Sequence, residues 1–370
     1  MIVGEPMVIK SKIKDPELAN RDEKIRLLNL DLKKLQREAV NDRTIRSEIF
    51  KLSNVKYKTP KWLNDKKEIN RNSSPGVPIL ILSDWHGGEV VNPKEIYNVN
   101  KYNLEIMEKR AKTLIETTVN LLKYSNSLAP IYPGIVVPIL GDMISGDIHE
   151  ELRESNELPS IPTVVYMSNI LIKCLDILIK EFNYVFVPCV TGNHGRNTLK
   201  MRAKQRAYTS YDWLLYQMLE SHYSLKYKDT ESPIQFMIPL SPDQSFKVYN
   251  TKFLITHGDT LGKGGDGIIG AMGPIIRGDQ KTRARNLQIG IPYDIMLLGH
   301  YHQLVWHSRF ISNGSLVGYN CYASNVLRAP FEPPKQALFI VHPDHNVTMK
   351  MDVLVEHEIK KKTEWVSIAK

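Results

Sequence analysis

At 370 residues, 42% hydrophobic and 24% charged, the chain has the make-up of a soluble globular protein holding one large domain with an extension, or two modest domains. No continuous apolar run approaches the ~20 residues of a membrane helix, and the opening MIVGEPMVIKSK lacks the apolar core and cleavage site of a secretory signal. The expectation is a protein of the cytoplasm with no membrane partner.

The net charge is +9, of which +7 falls in residues 1–75. Within that segment, residues 16–52 are predicted to be helical, because Ile25, Leu28, Leu32, Leu35 and Ala39 recur at three-four spacing with charges between them. The stripe is short for a coiled coil, so it packs on the rest of the chain or pairs with its copy in a homo-oligomer. The stretch KLSNVKYKTPKWLNDKKEINR then interleaves lysines with Tyr57 and Trp62. It reads either as an arm for a polyanion or as a solvated basic linker. Pro60 and the turn-rich NRNSSPGVP mark a boundary. The organisation expected is a basic helical extension (1–75), a catalytic domain (76–345) and a C-terminal strand and tail (346–370).

From Val77 the pattern becomes strand, polar loop, helix, repeated. Helices are predicted over YNLEIMEKRAKTLIETTVNLLKYS, over VVYMSNILIKCLDILIKEF and from about Lys200 to Ser221. After a turn at Asn313-Gly314-Ser315, QALFIVH and NVTMKMDVLV alternate as antiparallel strands. Cys174, Cys189 and Cys321 are odd in number and widely spaced, as reduced thiols would be.

Five strand-like runs end in metal-ligand chemistry: Asp84-Trp85-His86, Gly141-Asp142, Gly192-Asn193-His194, His257-Gly258-Asp259 and Gly299-His300-Tyr301-His302. A strand that stops on a ligand delivers it at the carboxyl edge of a sheet, where open α/β sheets place their sites. Asp84 and His86, at i and i+2, point the same way and can reach one ion. Asp142 offers two oxygens to bridge two cations, and Asn193 a neutral amide oxygen. His257, His300 and His302 supply imidazoles that suit Mn, Fe, Zn or Co better than a site for Mg alone. The glycines at 141, 192, 258 and 299 let the backbone turn close to the ions.

In this order, Asp-x-His, Gly-Asp, Gly-Asn-His, His and Gly-His-x-His resemble the calcineurin-like metallophosphoesterases over roughly Pro78 to Val341, and most of all their DNA-repair exonuclease branch. The resemblance implies an α/β (α+β) fold of two packed mixed β-sheets flanked by helices in four layers, here with an N-terminal helical extension. It implies two divalent metal ions, Mn foremost. Asp84, His86 and His302 would hold one, Asn193, His257 and His300 the other, with Asp142 between them. His194 resembles the catalytic histidine that serves the leaving oxygen.

The chain departs from the pattern in two places. The catalytic histidine is often followed by an acid, but here by Gly195 and Arg196, with Asp147 or Glu150 as substitutes and His149 as an accessory group. The phosphoprotein-phosphatase arginine is missing from Met143-Ile144-Ser145-Gly146. The insert GKGGDGIIGAMGPIIRGDQKTRARN reads as a loop over the cleft; Arg277 and Arg283 on it, and Arg196, are candidates for gripping substrate phosphates. The expected function is hydrolysis of phosphodiesters in nucleic acid. The alternatives are a phosphomonoesterase or small phosphodiesterase acting on a phosphoprotein or nucleotide, and an inactive scaffold.

Overall fold

The structure, a computed structural model, describes residues 57–63, 76–124, 132–262 and 272–356. All of them belong to one unit, Tyr57–Lys370. The helix expected over residues 16–52, the stretch 64–75 and the glycine-rich 263–271 lie outside the described residues.

Two mixed sheets form the frame. The first holds β1 (Val77–Leu80), β2 (Ile135–Val136), β3 (Val185–Pro188) and β4 (Ile234–Met237), with β10 (Lys335–His342) and β11 (Asn346–Leu354), in the order β11-β10-β1-β2-β3-β4. The strands β1 to β4 run parallel, and β10 returns antiparallel on β1. The second holds β5 (Asp243–Val248), β6 (Thr251–Thr256), β7 (Ile295–Leu298), β8 (Val305–Trp306) and β9 (Phe310–Ser312), in the order β5-β6-β7-β9-β8. Buried parallel strands carry near-continuous apolar runs because both faces are covered. Thus VPIL, VFVP and IMLL are buried throughout.

The two-residue period of the strands separates the layers. Phe253, Ile255, Ile295 and Leu297 face inward, onto Ile79, Val136, Phe186 and Phe339 of the first sheet. Their neighbours Leu254, Met296 and Leu298 face the other way, onto Ile275 of α5 (Met272–Gln288). On the outer side of the first sheet lie α1 (Leu104–Tyr124), α3 (Ser160–Glu181) and α4 (Tyr211–Lys226), with the short α2 (Glu150–Ser155) in a connection. Helix–sheet–sheet–helix is therefore the layer order. Of these helices, α3 is long and apolar enough to cross a membrane, but half of that stretch is buried, and it packs between α1 and α4 as a core helix.

Three local expectations change. The helix expected from Lys200 begins only at Tyr211, and residues 197–209 are a closed loop. Good helix formers in KMRAKQR are overruled by tertiary bonds described below. The insert expected as a loop is helical from Met272 onward, with Gly278 seated against Leu261. Finally, Tyr57 and Trp62 pack on the core: Trp62 stacks on Tyr184 with centroids 5.9 Å apart, and the Tyr57 hydroxyl donates to Glu220 at 3.2 Å. Tyr184 immediately precedes β3, so this aromatic anchor sits at the opposite end of the strands from the five polar segments.

Candidate metal centre

The five segments follow β1, β2, β3, β6 and β7, and the two sheets bring their carboxyl ends together. Isolated bridges Leu82↔Ile139 and Ile139↔Cys189 continue the first sheet toward the site, and Asp84 N–H donates to Gly141 O at 3.1 Å. Beyond that point the backbone breaks sharply. Asp84, His86, Asp142, His300 and His302 all have positive φ, between 48° and 70°. For residues with a β-carbon this conformation is strained, and such strain concentrates where surrounding structure holds a functional geometry. The close approach is enforced by glycine: a β-carbon on Gly192 would lie 2.1 Å from Asp142 Oδ1, and one on Gly141 2.2 Å from Gly192 N.

Three overlapping sets of side chains place their ligand atoms within 4.8 Å of one another: Asp84, His86 and His302; His86, Asp142 and His194; Asp142, His257 and His300. In the first, His86 Nε2 and His302 Nε2 stand 3.0 Å apart, and His302 Nε2 is 3.6 Å from Asp84 Oδ1. In the third, His257 Nε2 lies 2.9 Å from Asp142 Oδ2 and 3.0 Å from Asn193 Oδ1. The seven expected ligands are thus gathered, with Asp142 between the groups. Lone-pair donors this close and this buried fit divalent cations, since only a shared electrophile satisfies so many acceptors at once.

Backbone carbonyls set the histidine tautomers. His257 Nδ1–H donates to Leu140 O at 2.7 Å, which leaves Nε2 facing Asp142 and Asn193. His194 Nδ1–H donates to Ser145 O at 2.9 Å, and its backbone N–H donates to Asp142 Oδ1 at 2.7 Å. The partner of His194 is therefore the carbonyl of Ser145, not Asp147 or Glu150. His149 is exposed, its ring centroid 6.1 Å from that of His194.

Burial alone would raise the Asp142 carboxyl, but His257, His194 and His86 outweigh it and hold it well below the usual range. Burial alone would lower His257, but Asp142 outweighs it and lifts the imidazole to about 10. His300, half-buried, is pushed down by desolvation and then by His257, to about 4. In the metal-free protein, a proton between His257 and Asp142 takes the place of cationic charge. A raised imidazole contributes stability that is complete below its unfolded pKa of ~6.5 and is lost as pH climbs toward 10. Chelated protein is therefore expected to lose stability between pH 6.5 and 10, and metal-loaded protein to lose less. Denaturant midpoints at both ends of that window check this, and a flat profile for the chelated protein would sink it.

Three groups that sequence reasoning missed support the ligands. Asp212, fully buried in the first turn of α4, accepts from Gly192 N at 2.8 Å, Asp142 N at 3.1 Å and Met143 N at 3.2 Å. Burial, then Asp142, raises its carboxyl to about 6. Arg206 donates to Thr191 O and Gly192 O, each at 3.2 Å, and pairs with Asp259 at 3.0 Å. Glu89, buried and bonded by Asn320 at 2.8 Å, stands 3.8 Å from His86 Nδ1. None lies in a recognisable motif; Asp212 and Arg206 act through contacts remote in sequence, whereas Glu89 stands three residues from His86 and is held by the distant Asn320.

The candidate phosphate-gripping arginines are placed differently. Arg283 spends Nε on Asp279 and its terminal nitrogens on the carbonyls of Tyr293, Asp294 and Arg309, which makes it a strut between α5 and the second sheet. Arg196 curls onto the carbonyls of Asn193 and Thr198, at 2.8 and 3.0 Å. Arg277 is exposed on α5.

No protein-family model matches the sequence, and no curated protein matches it. Among solved structures, a single mutant of Vps29 from Entamoeba histolytica is similar at 15% identity, over 75% of this chain and 99% of that one, with a TM-score of 0.30. A dimetal phosphatase from Danio rerio is similar at 12% identity, over 76% and 100%, with a TM-score of 0.35. The phosphopantetheinyl hydrolase of Mycobacterium tuberculosis is similar at 14% identity, over 65% and 90%, with a TM-score of 0.25. At such scores the fold rests on the strands and core above, and the chemistry on the residues.

Proposed function

We propose that this chain is a metal-dependent phosphoesterase that hydrolyses phosphodiester bonds, with nucleic acid as its substrate class. The observation that carries the reading is the convergence of seven N and O ligands from five strand ends onto two adjacent positions sharing Asp142. Asp84, His86 and His302 would hold one divalent cation, Asn193, His257 and His300 the other. Manganese is the first choice for so imidazole-rich a set. When bound, two such ions neutralise charge on a phosphoryl group and acidify water.

The chain's own groups do the rest. Asp142 fixes the backbone at His194, and Ser145 O holds the Nδ1 proton, so Nε2 of His194 is the atom left to exchange a proton with the leaving oxygen. Preference for a diester follows from what surrounds the centre. Met143, Ile144 and Ser145, where the phosphatase pattern carries its arginine, are buried, and Arg196 is turned onto its own loop. A dianionic monoester lacks its usual clamp there, while a singly charged diester needs none beyond the cations.

Chelated protein reloaded with Mn is expected to hydrolyse bis(p-nitrophenyl) phosphate and oligonucleotides in preference to p-nitrophenyl phosphate; turnover confined to monoesters would overturn the reading. His194→Ala is expected to slow oligonucleotide cleavage ~10²–10⁴-fold, as loss of a general acid does, with metal content retained. Nitrophenolate leaves without a proton, so the nitrophenyl diester should suffer much less. Equal losses on both substrates would remove the proton-donor role.

A further inference from the structure

Directly after His194 comes a loop that contributes nothing to the metal ligands. Between Gly195 and Tyr211 the chain carries five cations and no acid. Its base is closed: Arg196 and Ser210 form an antiparallel bridge, Asn197 N–H donates to Thr209 O at 2.9 Å, and Tyr211 N–H donates to Gly195 O at 2.6 Å. Two of the cations point inward and hold it. Arg196 bonds the carbonyls of Asn193 and Thr198. Arg206 bonds those of Thr191 and Gly192 and pairs with Asp259, which ties the loop to segments after both β3 and β6.

The other three, Lys200, Arg202 and Lys204, point outward. All are exposed, and none has an ion pair or side-chain hydrogen bond among the described residues. On α1 the exposed lysines are paired, Lys109 with Glu105, Lys112 with Glu116 and Lys123 with Glu181. Exposed lysines without an ion pair, such as Lys94, Lys180 and Lys247, are scattered singly rather than gathered on one loop beside the site. Concentrating unpaired like charge on a braced loop costs repulsion unless an anion shares it. Leu199 and Met201, 82% and 52% exposed, stand among these cations. Another connection that reaches the site, through Gly146 and α2, presents Glu150, Glu151 and Glu154 and repels a polyanion.

We propose that the loop of residues 197–206 is the track for a polynucleotide backbone, with Lys200, Arg202 and Lys204 contacting phosphates that flank the scissile one. The inference rests on the phosphodiesterase reading above and adds where the polymer lies. An extended chain covers at most ~3.5 Å per residue, so the Cα of Lys200 lies within about 20 Å of that of His194. That reach spans about six phosphates of one duplex strand. Cations held there position the polymer without reading its sequence.

The test compares metal-loaded full-length protein with the triple variant K200Q/R202Q/K204Q. Binding of phosphorothioate oligonucleotides, as single-stranded DNA, duplex DNA and RNA, is titrated across salt concentrations. Each lost phosphate contact lowers the slope of log affinity against log salt by ~0.7 for single strands and ~0.9 for duplex, so the variant's slope is expected to fall by about 2 to 3. A control removing three charges from α1, K109Q/K112Q/K123Q, should keep the wild-type slope, and equal thermal midpoints show that all proteins are folded. A wild-type slope in the loop variant, or an equal fall in the control, overturns the assignment while leaving the nuclease reading intact. If wild-type protein binds none of the three polymers yet cleaves a small diester, both the nucleic-acid reading and the loop assignment fall, and only the hydrolytic centre stands.

Discussion

Asp142→Asn is expected to abolish metal binding at the shared position and to reduce phosphodiester turnover by at least ~10³-fold, about 4 kcal/mol of lost transition-state stabilisation, while leaving the metal-free protein folded. The last part follows from the hydrogen bonds. The substituted amide keeps an oxygen for His194 N–H, which in the wild-type protein donates to Asp142 Oδ1 at 2.7 Å. Its new N–H₂ group would replace Oδ2, which faces His257 Nε2 at 2.9 Å. Because His257 Nδ1–H is committed to Leu140 O, a neutral imidazole there presents a lone pair and accepts that N–H. The charge pair becomes a neutral hydrogen bond of the same shape. His257 then loses the strongest of the anions that lift it to about 10, leaving only the weaker pull of Asp84 and Asp259 against burial, which favours the neutral form.

Two measurements follow for that variant. The stability loss of chelated protein between pH 6.5 and 10 should shrink. So should stabilisation by metal, which for a wild-type site at a hundred times its dissociation constant is ~2.7 kcal/mol, although Asp84, His86 and His302 can still hold one ion. A variant that gained as much stability from Mn as the wild-type protein would show that Asp142 is not the shared ligand.

How much of this is legible in the sequence depends on the range of the force involved. The strands are legible because burial on two faces demands unbroken apolar runs such as VPILIL and VFVP, and their polar ends are legible because few side chains serve a cation. The two-sheet architecture came through the resemblance those motifs carry; the alternation of Phe253, Leu254 and Ile255 between two cores shows why it holds. Residues 200–210 were misread because KMRAKQR favours helix locally, and only the distant carbonyls of Thr191 and Gly192, with Asp259, explain why Arg206 holds it open. The helix α5 was obscured by the glycines before it. Asp212 was invisible for a different reason: it bonds backbone, and backbone leaves no signature at the partner positions.

Asp212 is also the second position where a single change is expected to act strongly. Its two oxygens accept three N–H groups, from Asp142, Met143 and Gly192, and so lock the segments after β2 and β3 to α4. In Asp212→Asn one oxygen can retain Asp142 N–H and Gly192 N–H, both of which donate to Oδ2 in the wild-type protein. The amide nitrogen then meets Met143 N–H, donor against donor, in a fully buried place. One unsatisfied buried donor costs ~1–3 kcal/mol of stability, and loss of a group that orients metal ligands lowers metal affinity ~10–100-fold. Since Asp212 touches no ligand side chain, saturating metal should restore most of the turnover, which separates positioning from catalysis.

Gly195 belongs to the same device. A β-carbon there would lie 2.9 Å from Asp212 Cγ and about as near to both oxygens, so the acid that the resemblance leads one to expect after His194 has no room in this chain. A carboxylate from α4 occupies the space instead. Gly195→Ala is therefore expected to displace that carboxylate and weaken metal affinity as Asp212→Asn does. Neighbours that act on one set of bonds are not additive, so the double variant should lose little beyond the worse of the two. Additive losses in a double-mutant cycle on metal affinity would show that Gly195 and Asp212 act separately, and the substitution of one acid by the other would fail.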